Sequence, residues 1–84
     1  MSSNRYQIDG PWHYGGALLE GPYLKQHATL LDKRTGTRWA EGAWRVVDAR
    51  NGRRVGPVFK GETAWSDADR LGLDLTLQHR RGES

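Results

Sequence analysis

The sequence predicts a small α+β domain, in which an antiparallel meander of three strands packs against one C-terminal helix behind an extended N-terminal arm. Three observations predict this fold. A ten-residue pattern occurs twice, at residues 30–39 and 46–55. Gly-Pro and Gly-Gly pairs interrupt residues 1–22, which argues against a long helix there. Within residues 62–79, apolar residues recur at helical spacing.

Residues 1–22 are predicted to form the arm, with one short strand or turn. They are rich in aromatic side chains, whereas disordered segments are usually poor in them. Because an 84-residue chain has only a small core, we expect the arm to cover the open side of the sheet. The alternative is that part of the arm contacts another protein through three residues: Trp12, His13 and Tyr14.

The repeated pattern predicts two hairpin tips, which divide residues 23–60 into three strands. Both copies read apolar, apolar, Asp, any, Arg, any, Gly, any, Arg, apolar. The first strand is predicted over 23–32 and the second over 37–49. The Asn51-Gly52 dipeptide is a strong hairpin signal, because both residues tolerate positive φ. We therefore expect the second tip to be centred on it.

That turn fixes the expected register of the second hairpin. It places Trp44 opposite Phe59 and Val46 opposite Pro57, so one side of the hairpin is apolar. Because Pro57 has no N–H to donate to a sheet, strand 55–60 is predicted to be an edge.

The two central tryptophans suggest an irregularity in the second strand. Trp39 and Trp44 are five residues apart, so an unbroken strand would point them to opposite faces. We expect a bulge at Gly42 that puts both indoles on one side. The predicted core has seven members: Trp39, Trp44, Val46, Val55, Phe59, Ala68 and Leu71.

Residues 62–79 are predicted to form the helix, because their apolar residues continue one stripe as far as Leu75. The alternative is a helix followed by a fourth strand, because the leucines from Leu71 to Leu77 alternate along the chain. Residues 80–84 are expected to fray.

The composition argues against an enzyme and against a membrane protein. The chain has no Cys, which excludes disulfides and thiolate metal sites. His13, His27 and His79 lack paired-ligand spacing, and there is no Gly-rich phosphate loop. No apolar run approaches the roughly 18 residues of a membrane span, and the first residues lack a signal peptide's apolar stretch. We expect a non-enzymatic cytoplasmic protein without metal or cofactor.

Positive charge is concentrated in the predicted hairpins. Residues 32–60 hold eight Lys or Arg and three acids, a net +5, in a chain of net +3. A sheet can enter the DNA major groove, where arginines reach phosphates and guanine edges. We therefore expect a module that binds nucleic acid, or a nucleic-acid-handling complex, through a basic hairpin face. The predicted contact residues are Arg45, Arg50, Arg53, Arg54 and Lys60, with Lys33, Arg34 and Arg38 around the first tip.

The order of three strands and a helix is similar to that of the arm-type DNA-binding domains of phage integrases, and this similarity of architecture implies DNA binding. No sequence motif supports it. Two alternatives stay open. One is a small phage- or plasmid-type inhibitor, of the anti-CRISPR or anti-restriction kind, that binds a host protein complex. The other is a homodimer that pairs through the edge strand.

Overall fold

The computed structural model describes residues 5–17 and 21–83, which form a five-stranded antiparallel sheet with one helix against it. This confirms the predicted α+β class with a C-terminal helix. Among these residues, no helix is both long enough and apolar enough to cross a membrane. The elements in chain order are β1 (Tyr6–Ile8), β2 (His13–Ala17), β3 (Tyr23–Asp32), β4 (Thr37–Asp48), β5 (Arg53–Lys60) and α1 (Ala64–Glu83).

The predicted meander consists of β3, β4 and β5, and the N-terminal arm adds two short strands to its outer edge. β1 pairs with the end of β3, where Tyr6 lies opposite Asp32. β2 pairs with the beginning of β3, where Tyr14 lies opposite Gln26. The arm therefore contributes two strands, rather than the one short strand or turn expected from the sequence.

The two hairpin tips have the same structure, as the repeated pattern predicts. Each is a four-residue loop that follows an aspartate, Asp32 in the first tip and Asp48 in the second. The last loop residue, Gly36 or Gly52, has a positive φ of 77° or 73°. Its backbone N–H donates to the carbonyl of that aspartate at 2.7 Å. Glycine is needed at this position because other residues adopt such a φ only with strain.

The predicted register of the second hairpin is only half right. Trp44 lies opposite Phe59 as predicted, but Val46 lies opposite Val55 rather than Pro57. The loop consists of residues 49–52, so it is centred between Arg50 and Asn51 and the predicted centre on Asn51-Gly52 is wrong; a bulge between the two pairs takes up the difference. Pro57 lies in this bulge, so its missing N–H interrupts no pairing, and β5 is an edge strand as predicted.

Both hairpins carry the same bulge. In the first hairpin, residues 40–42 lie opposite the single residue Thr29. In the second, residues 56–58 lie opposite Arg45. Each bulged strand therefore has two residues more than its partner. The sixteen-residue offset of the sequence pattern thus relates whole hairpins and not only their tips.

A bulge exists at Gly42 as predicted, but the expected placement of Trp39 and Trp44 on one side is wrong. Because the bulge adds two residues, it leaves the alternation of side chains along β4 unchanged. Trp39 packs against the cluster that contains Leu30, whereas Trp44 packs with Val46 in a separate cluster.

α1 covers one face of the sheet, called here the helix face. Trp44 and Val46 pack there with Ala64 and Ala68 of the helix, and all four are buried. Lys25 of β3 also forms an ion pair with Asp69 of α1. Five of the seven predicted core residues lie in this cluster, which is completed by partly buried side chains: Tyr23, Phe59, Leu71 and Leu75.

The opposite face of the sheet, called here the arm face, is partly covered by the N-terminal arm. Ala28, Leu30 and Ala43 are buried on this face. The arm packs on the sheet as expected, and Trp39 belongs to this cluster instead of the helix-side core. Four partly buried side chains pack against the three buried ones: Tyr6, Ile8, Trp12 and Trp39.

α1 is one continuous helix, so the alternative of a strand after the helix is wrong. Leu71 and Leu75 pack against the sheet, whereas Leu73 and Leu77 are exposed. Helical periodicity therefore overrides the alternation of these leucines.

The helix continues through Glu83, past its predicted end at residue 79, whereas the fraying of residues 80–84 stays a prediction; Ser84 lies outside the described residues. Arg80 and Arg81 lie in the last turn, where cations interact favourably with the negative end of the helix dipole.

Candidate functional site

A row of three side chains crosses the arm face from β2 to β4. Tyr14 lies opposite Gln26, and Gln26 lies opposite Arg45. Residues paired across strands share a face. Since neighbouring strands are about 4.8 Å apart, the backbones of Tyr14 and Arg45 are about 10 Å apart. Gln26 is buried between them, whereas Tyr14 is 65% exposed.

Arg45 is held in place by two neighbours. Its guanidinium carbon lies 4.3 Å from the centre of the Trp12 ring, within the range of a cation–π interaction. Its Nε donates a hydrogen bond to Gln26 Oε1 at 2.8 Å. Burial, followed by the nearby charge of Arg54, lowers the pKa of Arg45. An arginine remains protonated at neutral pH, so this half-buried group is a fixed positive charge.

Arg54 and Lys60 add two exposed cations to the same face. Arg54 lies opposite Val47, and Lys60 lies opposite Ala43. These two partners, Val47 and Ala43, lie on the same face of the sheet as Arg45. They are four residues apart along β4, which corresponds to about 13 Å. Within residues 5–17 and 21–83, no carboxylate forms an ion pair with Arg45, Arg54 or Lys60. The arm-face patch is defined here as Trp12, Tyr14, Arg45, Arg54 and Lys60.

The other predicted contact residues lie at the hairpin tips. At the second tip, Arg50 forms an ion pair with Asp48 at 2.8 Å, and its hydrogen bonds to that carboxylate lower the pKa of Asp48. Arg53 lies opposite Asp48 and is exposed. This tip follows the end of β4 that lies beside Arg54.

The first tip lies at the other end of β4, roughly 30 Å away. Lys33 and Arg34 are exposed in its loop, and Arg38 is ion-paired with Asp9. The eight predicted cations therefore do not form one continuous surface. Three of them meet on the arm face, and the rest divide between the two tips.

Two of the three arm residues predicted to contact a protein, His13 and Tyr14, lie on opposite faces of the sheet. His13 lies opposite His27 in the register of the helix face, and the two ring centres are 5.8 Å apart. Tyr14 points to the other side with Gln26. Trp12 packs beneath Arg45. No group of three or more potential metal ligands occurs among the described residues.

Sequence reasoning did not identify Gln26, which orients Arg45. Its signal is a polar residue that alternates in β3 with the apolar positions Leu24, Ala28 and Leu30, where a buried glutamine needs a hydrogen-bond partner. It also did not identify Arg5, which donates from Nε and from its terminal nitrogen to Asp32 and lies 5.1 Å from the centre of the Tyr6 ring. Nothing local in the sequence marks that contact across 27 residues.

Comparison with models of protein families, with curated proteins and with solved structures finds no match for this chain. The functional conclusion therefore depends on the geometry and charge of the arm-face patch.

Proposed function

We propose that this chain is a non-enzymatic nucleic-acid-binding module that holds the phosphate backbone with the cations of the arm-face patch. The observation that carries this proposal is the gathering of Arg45, Arg54 and Lys60 on one face, with no ion-paired carboxylate among the described residues. Like charges in one place repel each other, and a polyanion that binds there removes the repulsion.

The ion pairs formed by the other cations support this assignment. Arg5, Arg38 and Arg50 each have an aspartate partner within the fold, and these pairs link the arm or a tip to the sheet. Their charges are therefore largely neutralised by the protein. The patch cations differ, because the exposed Arg54 and Lys60 form no such ion pair with the described residues.

The acidic residues favour the same orientation. α1, on the helix face, contains four acids and three arginines, so the helix carries no net positive charge. A polyanion is therefore attracted more strongly to the arm face than to α1. The domain therefore has one electrostatically favoured side for nucleic acid.

The test is a fluorescence-anisotropy titration of single- and double-stranded oligonucleotides at several salt concentrations. We expect log K to fall linearly with log salt. The double variant Arg54→Ala/Lys60→Ala should bind more weakly with every sequence and should lower the salt slope by about 1 to 2. The matched control is Arg70→Ala, which removes an exposed cation of α1 and should leave affinity and slope close to wild type.

Absence of binding to any oligonucleotide at low salt would overturn the proposal. So would a loss of log K in Arg70→Ala that is half as large as in the double variant, because one charge is removed in the first and two in the second, and binding would then follow net charge rather than the patch. In either case, the inhibitor of a host protein complex becomes the hypothesis to test, through a stoichiometric partner in a pull-down from the native host.

A further inference from the structure

We infer that the arm-face patch binds single-stranded nucleic acid, with bases stacked on Tyr14 and on the guanidinium of Arg45. This inference rests on the proposed function and adds the form of the ligand and the residues that contact its bases.

Tyr14 is the first stacking surface. It is the most exposed of the large hydrophobic residues among the described part of the chain, at 65%. Its place in β2 puts it on the arm face, in the row with Gln26 and Arg45. An aromatic ring that is exposed beside cations offers a base a flat apolar surface, and every base has a π-face that can use it.

Arg45 is the second stacking surface. Trp12 lies on one side of its guanidinium, and Gln26 holds its Nε, so the group is already oriented before a ligand binds. Bases in single-stranded regions stack on guanidinium planes as well as on aromatic rings. Gln26 acts here as a positioning residue, since it is buried and reaches the ligand only through Arg45.

The order of the strands separates base contacts from phosphate contacts. Tyr14 lies on β2 and Arg45 on β4, whereas Arg54 and Lys60 lie together on β5. Bases can therefore occupy the β2–β4 part of the face while the backbone follows the two exposed cations of β5. In a duplex the bases are stacked on each other, and their faces are not available to Tyr14.

The experiment compares a labelled oligothymidine and an oligouridine of about 12 nucleotides with a duplex of the same length. We expect both single strands to bind at least about tenfold more tightly than the duplex at equal salt. Tyr14→Ala should weaken single-strand binding by about tenfold, because it removes the stacking surface. Tyr14→Phe keeps the ring and should bind like wild type. Since Tyr14 is exposed, both variants should retain the wild-type circular dichroism spectrum.

The salt slope distinguishes the inference from the proposed function. Stacking involves no counterion, so Tyr14→Ala should shift affinity at constant slope, whereas Arg54→Ala/Lys60→Ala should change the slope. Wild-type single-strand affinity in Tyr14→Ala, or duplex binding as tight as single-strand binding, would overturn the stacking inference. The proposed function survives those results as long as the double variant still binds more weakly. If neither single strands nor the duplex bind, both are overturned.

Discussion

Asp48 has the same role in the second hairpin tip as Asp32 has in the first. Each carboxylate accepts the backbone N–H of the arginine two residues later, at 3.0 Å from Arg34 and at 2.9 Å from Arg50. The carboxylates differ in their guanidinium partner. Asp32 binds Arg5 from the arm, whereas Asp48 binds Arg50 from its own loop. The two loops are therefore built alike, but only in the first does the aspartate side chain bind the N-terminal arm.

The shared loop geometry predicts equal sensitivity to alanine at the two glycines. Gly36→Ala and Gly52→Ala should each lower the free energy of unfolding by about 1–2 kcal/mol, because alanine must adopt a left-handed conformation. Neither site has a neighbour that an added Cβ would meet, so the backbone is the only cause. Urea denaturation measures the two values. A large difference between them would show that the loops are not equivalent in energy.

Because the pKa of Asp32 is lowered in the folded protein, we expect the protein to lose stability in acid. The hydrogen bonds from Arg5, the first cause, lower the pKa of Asp32 to about 2 from an ordinary value of 3.8. A lowered folded-state pKa stabilises the protein above the unfolded pKa, and this stabilisation is lost as pH falls from about 4 to about 2. Asp32→Asn should be less stable at neutral pH and should lose less on acidification.

The control for this prediction is Asp74→Asn, which replaces an exposed carboxylate of α1. It should follow the wild-type pH profile in urea titrations at pH 2, 3, 4 and 7. An Asp32→Asn profile parallel to wild type over that range would contradict the assigned role of the Arg5 pair.

Trp44 predicts the largest single loss of stability. It is 6% exposed, packs against Ala64 and Ala68, and donates its indole N–H to the carbonyl of Glu41 at 2.9 Å. Trp44→Ala should cost about 3–5 kcal/mol in urea or thermal unfolding. Trp65→Ala, which removes an indole that is 56% exposed, should cost far less. Similar costs for the two variants would contradict the assignment of Trp44 to the core.

The edge strand predicts a monomer. Pairing between two copies of β5 needs a regular edge, but residues 56–58 form a bulge that contains Pro57, and Arg53, Arg54 and Lys60 add like charge. Light scattering should therefore give a constant monomer mass over a wide range of concentration. A mass that rises towards the dimer would support the homodimer hypothesis instead.

Local chemistry explains how much of the fold the sequence predicts. The tips depend on an aspartate and a glycine within five residues, so the repeated pattern is enough to identify them. The bulge lengths depend on contacts between strands and have no local signal. Gly15 illustrates the difference: it is part of a breaker pair in the sequence, yet it lies within β2. There an added Cβ would come within 2.5 Å of the Trp44 ring.

The candidate site is predictable only in part for the same reason. Alternation along strands places Arg45, Arg54 and Lys60 on one face once the strands are known. The arm residues that meet them are not predictable in this way, because Trp12 reaches Arg45 across 33 positions of the chain. The neutralisation of Arg38 by Asp9 is equally long-range. Only the folded chain therefore separates the patch cations from those that stabilise it.

The length of the two bulges restricts how this chain can change during evolution. Loss or gain of one residue there would move every later side chain of the strand to the opposite face of the sheet. Loss or gain of two residues would leave each later side chain on its present face. Insertions and deletions at these positions are therefore tolerated in even steps, and descendants of this chain should differ there by pairs of residues.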